Sequence, residues 1–282
     1  MTNISAIIKE IAKLKPIPRV VNRILAIRKD PDSTMEDLAN VISHDAVTTA
    51  NLLKAANSAY YARPKPFESV RQAVVYLGMD EVVDLVLMSN SAGNLKRAQK
   101  GYALEAGELW RHSVSSALIS RELSQKLKLA NTHLVFTSAL LKDIGKVVLE
   151  QYVGACAQEI HTLVEYGRLS FIEAEKRVIG IDHAELGAMT AKIWRFSPEM
   201  VDIIRHHHRP GKASKAKQEA VVVHLSDTIC MMMGIGIGTD GLAYRFDQQL
   251  IQKAGLTDGD LQEIIAGFSE KIEEIESLTA SY

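Results

Sequence analysis

THLVFTSALLKDIGK, residues 132–146, is the stretch on which the fold and the chemistry of this chain turn. Thr132 through Leu141 carries a helical pattern, and it ends on Lys142-Asp143. Outward from this point one theme recurs: a histidine or aspartate set in, or at the end of, an apolar helical stretch. His112 lies within the long regular pattern Leu109–Leu127, with Glu108 one turn earlier on the same face. His183 falls in the first turn of a helix opened by Asp182, with Glu185 at capping-box spacing. Ser197-Pro198 starts a helix that runs into His206-His207-His208 and stops before Pro210. Asp227 sits inside the apolar run Val221–Met233. Facing helices of a bundle direct such side chains into one core.

Imidazole and carboxylate are ligands for divalent metals. Lys142 breaks the set, because an ammonium has donors only and no lone pair to offer. Two roles stay open for it. It can replace a missing cation by pairing with Asp143 and Asp227, or it can turn away and leave a metal site short of one ligand. A helix rotates neighbours by about 100°, so His206, His207 and His208 cannot all face one centre. The tripeptide Met231-Met232-Met233 reads as core packing. The string Gly236-Ile237-Gly238-Thr239-Asp240-Gly241 spells a dinucleotide fingerprint but lacks a strand before it, so a loop between helices is expected.

The first half is also helical. Ile7, Ile8, Ile11 and Leu14 share a face, and Pro16 and Pro18 break the chain before a helix over Val20–Arg28. Ser33 with Glu36 has capping-box spacing, Asp45 can cap the next helix, and further stripes run through Val70–Leu77 and Val82–Leu87. Ser91–Gly107 is small and polar and reads as a connection, which puts a subdomain over 1–100 and another over 101–282. Ser170 with Glu173 is another capping box, and Thr257–Leu278 reads as one closing helix. No strand set is visible, so the expected class is all-α.

The 282 residues are 47% hydrophobic, enough for a real core. Lys plus Arg is 33 against 34 Asp plus Glu, a formal charge of -1, which argues against a nucleic-acid surface. Cys156 and Cys230 stand alone, outside any CxxC pattern, which suits a reducing cytoplasm. The longest uncharged apolar candidate, Ile229–Ile237, is too short for a membrane span.

The order His112, Lys142-Asp143, His183, His207-His208, Asp227, with LLKDIGK in place of LLHDIGK, resembles the HD superfamily of metal-dependent phosphohydrolases. IAKLKPIPRVVNRILAI (11–27), DPDSTMEDLANVISHDAVTTANLLKAANSAYY (30–61), SVRQAVVYLGMDEVVDLVL (69–87), WRHS (110–113) and HHHRP (206–210) narrow the resemblance to the HDOD domain, the HD-related output domain of bacterial signalling proteins. The resemblance implies an N-terminal helical bundle packed with an HD-like bundle, and a cytoplasmic regulatory role. It implies metal-ligand positions at His112, Asp143, His183, His207, His208 and Asp227, with Asp143 bridging and Glu108 at the place of an extra carboxylate. The ion would be Fe, Mn, Mg or Zn. It turns His207 and His208 inward and His206 outward. Arg209 departs from the family's glutamate after the paired histidines, and no GYP-like sequence follows.

Two functions follow from this pattern. The first is a signalling module, catalytically silent or weak, that works through protein contacts with a separate signalling partner and a bound metal or ligand. The second is a metal-dependent phosphohydrolase acting on a nucleotide or cyclic nucleotide, with Asp143 and Lys142 as the catalytic candidates and Lys142 on substrate phosphate. A DNA-binding role is weaker than either.

Overall fold

A computed structural model describes residues 4–61, 65–239 and 248–282, with the side chains of residues 248 and 249 left undescribed. The described residues form seventeen α-helices and no strand; their one β-type pairing is the isolated bridge between Gln99 and Leu104. The all-α expectation therefore holds. The first six helices are α1 (Ile4–Glu10), α2 (Arg19–Lys29), α3 (Met35–Ser43), α4 (Ala46–Ala56), α5 (Val70–Leu77) and α6 (Met79–Leu95). They are followed by α7 (Glu108–Lys126), α8 (Thr132–Leu141), α9 (Ile144–Ala155), α10 (Ala157–Glu165), α11 (Phe171–Ile179) and α12 (His183–Ile193). The last five are α13 (Pro198–His206), α14 (Lys217–Met232), α15 (Gln248–Ala254), α16 (Asp258–Glu270) and α17 (Ile272–Ala280).

The chain divides into two compact units, each built from two stretches: Met1–Lys15 with Asn94–Gly267, and Pro16–Gly93 with Phe268–Tyr282. The sequence reading divides the chain once, between 100 and 101. The smaller unit packs α3 against α2, α4 and α5 through Leu38, Ala39 and Ile42. Arg28 of α2 bonds Asp80 at 3.2 Å and Asp84 at 3.1 Å, tying α2 to α6. Asn57, just past α4, grips the chain at Phe67 in both directions. It donates to the Phe67 carbonyl at 3.0 Å and accepts from the Phe67 N–H at 2.7 Å.

In the larger unit α7 is the central rod. Every residue from Leu109 to Ser120 except Arg111 is buried. Its buried serines let α8 and α14 approach closely, and several return their hydroxyls to the helix itself: Ser120 to the Ala117 carbonyl at 2.8 Å, Ser124 to the Ser120 carbonyl at 2.7 Å. Ser116 also meets Ser226 of α14 at 3.0 Å. Residues Val135–Leu141 of α8 are buried on all sides.

Four local expectations change. The capping box before α3 is Thr34 with Asp37, not Ser33 with Glu36. Ser33 is used in a turn, its N–H on the Asp30 carbonyl, so the extended cap residue falls one position later. Ser91–Leu95 belongs to α6, leaving residues 96–107 as the connection. The charged stretch Lys212–Gln218 reads as a loop in the sequence, but it ends earlier, because α14 already starts at Lys217. The closing helix is two helices, because Lys271 leaves helical geometry (φ -99, ψ 7) between α16 and α17. Asp45, Ser170 with Glu173, Asp182 and Ser197 cap as expected, each such cap contributing about 1 kcal/mol.

Candidate metal centre

Helix ends bring the site together. Lys142 and Asp143 form the two-residue corner between α8 and α9, and His183 opens α12. His207 and His208 follow the last residue of α13. His112 and Asp227 come from the bodies of α7 and α14. The corner is tight because α9 and α12 almost touch. A Cβ on Gly145 would lie 2.0 Å from the His183 carbonyl oxygen and 2.7 Å from the Gly187 nitrogen.

Two groups of ligand atoms result, each with its atoms within 4.8 Å of one another, and they share Asp143. One is His112, Asp143 and Asp227; the other is Asp143, His183, His207 and His208. These are the six residues singled out in the sequence. Glu108 stands in neither group: its carboxylate accepts from the Glu105 N–H at 2.6 Å. His206 points elsewhere, to the Asp202 carbonyl at 3.0 Å and carboxylate at 3.1 Å.

The first group already contains a cation. Lys142 is fully buried, and its Nζ lies 2.8 Å from Asp227 Oδ1 and 2.9 Å from His112 Nε2, in contact with Asp143 Oδ2. It does not turn away. Burial alone would push its pKa down, but Asp143 and Asp227 outweigh that, and the pKa is raised. Burial would likewise raise the two aspartates. Lys142 and Lys146 hold Asp143, and Lys142 and His112 hold Asp227, well below the ordinary carboxylate range. His112 is oriented by its Nδ1–H on the Ile235 carbonyl at 2.9 Å, which turns Nε2 to the cluster. That contact needs Gly236, where φ is +59 and a Cβ would fall 2.7 Å from the Glu108 oxygen and 2.8 Å from His112 Cβ. The rest of the glycine-rich string, Asp240-Gly241, lies outside the described residues.

The second group presents imidazole lone pairs. His207 gives its Nδ1–H to the Ile204 carbonyl at 2.7 Å, which leaves Nε2 buried, without a hydrogen-bond partner, 3.9 Å from Asp143 Oδ1. Burial lowers its pKa to about 3, so the ring stays neutral and the lone pair stays free. His208 is half-buried and its pKa is also well below normal, from burial and then from His207 and His183. His183 behaves oppositely. Burial alone would lower it, but Glu175 accepts from its Nδ1 at 2.7 Å and from its backbone N–H at 3.1 Å, and its pKa rises. The Nε2 atoms of His183 and His208 are 2.8 Å apart, so one holds a proton that the other accepts.

Two functional residues escape the sequence reading. Glu175, fully buried, fixes the orientation of His183 and in turn accepts from the Tyr102 hydroxyl at 2.6 Å. Lys146, also buried, sits 3.0 Å from Asp143 Oδ1 with its ammonium 5.6 Å from the centre of the Tyr102 ring. A signal existed for Glu175: it falls on the buried stripe of α11 between Ile172 and Ile179. Lys146 stands at helical (i,i+3) spacing from Asp143.

The residues fit a single divalent ion in the second group. An orphaned buried Nε2 calls for a partner, and an ion between His183 and His208 would take the place of the proton they share. In the first group Lys142 fills the space. Among the described residues no helix is long and apolar enough to cross a membrane, and Cys156 and Cys230 are free thiols.

The chain matches the family model of the HDOD domain over residues 14–210. An uncharacterised protein of Treponema pallidum (strain Nichols) is 25% identical over 212 residues, which is 70% of this chain and 38% of that protein. The chain thus spans about two-fifths of that relative. Among solved structures, an HDOD domain protein of unknown function from Geobacter sulfurreducens shares 24% identity and a TM-score of 0.76 over 99% of both chains. A protein from Shewanella amazonensis SB2B provisionally named a phosphohydrolase shares 25% identity and a TM-score of 0.73 over 98% of this chain and 97% of its own. One from Marinobacter aquaeolei VT8, provisionally named a signal transduction protein, shares 21% identity and a TM-score of 0.80 over 99% of this chain and 64% of its own.

Proposed function

The chain belongs to the HDOD domain family, and we propose that it acts as a bacterial signal-transduction module built around a half-closed metal centre. The observation that carries this reading is the ammonium of Lys142, set among His112, Asp143 and Asp227 where a first ion would stand. A side-chain cation there neutralises the carboxylates but cannot polarise a phosphoryl oxygen as an ion does or lower the pKa of a water. A two-ion route to phosphate-ester cleavage is thereby closed.

The other half retains Asp143, His183, His207 and His208 for one divalent ion, of Fe, Mn, Mg or Zn type. Bound there, an ion would supply Lewis acidity and a place for an exchangeable ligand. The chain's own residues set its terms. Glu175 holds the His183 ring, Ile204 holds the His207 tautomer, and Lys146 limits the charge that Asp143 can offer. Binding of the ion or of a small ligand would shift the module between states that a separate signalling protein distinguishes.

A second reading is a phosphohydrolase for nucleotides or cyclic nucleotides. The free Nε2 of His207 and the half-buried His208 favour it, as does the likeness to the Shewanella protein. Lys142 would not serve it by touching substrate, since it is fully buried and held by three groups.

Elemental analysis of the purified protein tests the proposal. No more than one equivalent of metal is expected, lost in His207→Ala, with a second equivalent gained in Lys142→His. Two equivalents in the unaltered chain, or metal-dependent phosphate release that Asp143→Ala abolishes, would overturn it.

A further inference from the structure

A cavity of about 160 Å³ opens beside the second half of the centre, and His208 is part of its wall. Four elements converge on it: the last turn of α11 with Lys176, the start of α12 with Asp182 and Glu185, the last turn of α13 with Arg205 and His206, and the segment carrying Arg209 and Lys212. The lining therefore holds four permanent cations against two carboxylates. Those carboxylates are committed elsewhere. Asp182 accepts from the Glu185 N–H at 2.7 Å, and Glu185 takes Lys176 at 2.7 Å. Arg209 leans on Glu173 at 3.0 Å, and His206 on Asp202. Among the described residues neither Arg205 nor Lys212 makes an ion pair within 4.0 Å; Lys212 lies near enough to Glu173 to help lower its pKa, but Glu173 already holds Arg209, so the net charge of the lining stays positive.

The ordinary explanation is that cations favour the last turn of a helix, where the dipole is negative. It accounts for Lys176 and Arg205 one at a time. It does not account for Arg209 and Lys212, nor for four cations around a single cavity that ends on a candidate metal ligand. The size narrows the occupant. At about 160 Å³ the space has room for a group the size of one tetrahedral oxyanion. It lies below the several hundred Å³ of sites that enclose a whole small molecule.

We propose that this cavity is an oxyanion site for the phosphoryl group of a small phosphate ester, bound by Arg205 and Lys212 and delivered to the edge of the half-site at His208. The rest of such a ligand stays outside the cavity. This deepens the functional reading above and rests on it only for what lies beyond His208; the cationic wall needs no ion.

The test is a titration of the metal-free protein, held in chelator, with inorganic phosphate at constant ionic strength, followed by calorimetry and by ³¹P line broadening. Sodium chloride is the control. Saturable binding is expected, weakened at least ten-fold in the double variant Arg205→Gln/Lys212→Gln, whose melting in chloride matches the parent. His207→Ala, which damages the metal half-site, should bind phosphate as the parent does. The two readings come apart in the unaltered chain: phosphate binding by a parent protein that takes up no metal would sink the metal proposal and leave this one. The oxyanion site is overturned if chloride does as well as phosphate, or if the double variant binds phosphate undiminished. It is equally overturned if binding needs added metal and is lost in His207→Ala but kept in the double variant.

Discussion

The two halves of the buried cluster share Asp143 and differ in what faces it. On one side Lys142 supplies a charge at 2.8 Å from Asp227, and the polar atoms there are satisfied by one another. On the other side His207 keeps a lone pair with no partner, and His183 and His208 share one proton. The same helices and the same spacing of histidines and aspartates therefore give one half that is complete as folded and one that is not. The contrast rests on one side chain at the α8–α9 corner, and it separates having a metal-site geometry from having a metal site.

Removing that side chain should give the largest effect. Lys142→Ala leaves Asp143 and Asp227 buried without their cation, at a cost on the order of 3–5 kcal/mol. Urea unfolding checks this, and Mn²⁺ in the buffer should restore much of the loss. A small loss with no metal response would mean the two halves are not distinguished by Lys142.

Glu175→Gln probes the other half. Losing the carboxylate that orients His183 should weaken metal binding by about 10–100-fold, read by competition with a chelator. Unchanged affinity would detach Glu175 from the site.

Acidity sharpens the contrast further. His207, folded at about 3 and near 6.5 when unfolded, binds a proton only in the unfolded chain between those values. Stability of the metal-free protein should therefore fall as pH drops below about 6.5, by about 1.4 kcal/mol per pH unit for each such proton. His208 adds in the same direction. His183 is raised instead, so its contribution is present below its unfolded value and is lost as pH climbs through its folded one. Urea midpoints across pH should peak near 6.5. A flat profile would show that the imidazoles do not sit as neutral and charged neighbours.

The smallest effect serves as the control. Thr34→Ala removes the α3 cap in the smaller unit, at ~1 kcal/mol, and should leave metal stoichiometry unchanged. A change in stoichiometry would show that the centre responds to stability lost anywhere in the chain.

The six clustered residues were legible because their chemistry is rare inside apolar helices and their order follows a known pattern. Lys142 was legible as an anomaly, and its pairing with Asp143 and Asp227 was one of two roles left open. What the sequence hid was support. Glu175 and Lys146 look like ordinary charged residues of amphipathic helices, and only packing reveals that both are buried. The break at Lys271 was hidden for a different reason: Leu261, Ile264, Phe268, Ile272 and Ile275 keep one stripe straight through it. Asn57 shows a further limit. Nothing in the sequence around it announces its grip on Phe67, which needs a fold to close the loop.

A cation carried on a side chain obeys different mass action from one taken out of solution. A free ion stabilises what it binds in proportion to the logarithm of its concentration over its dissociation constant, so a centre held by ions softens when they grow scarce. The ammonium of Lys142 cannot be diluted, chelated or exchanged. The first half should keep its strength through metal famine and metal surplus alike, while the second rises and falls with supply. One cluster would then carry a fixed reference and a variable reading side by side.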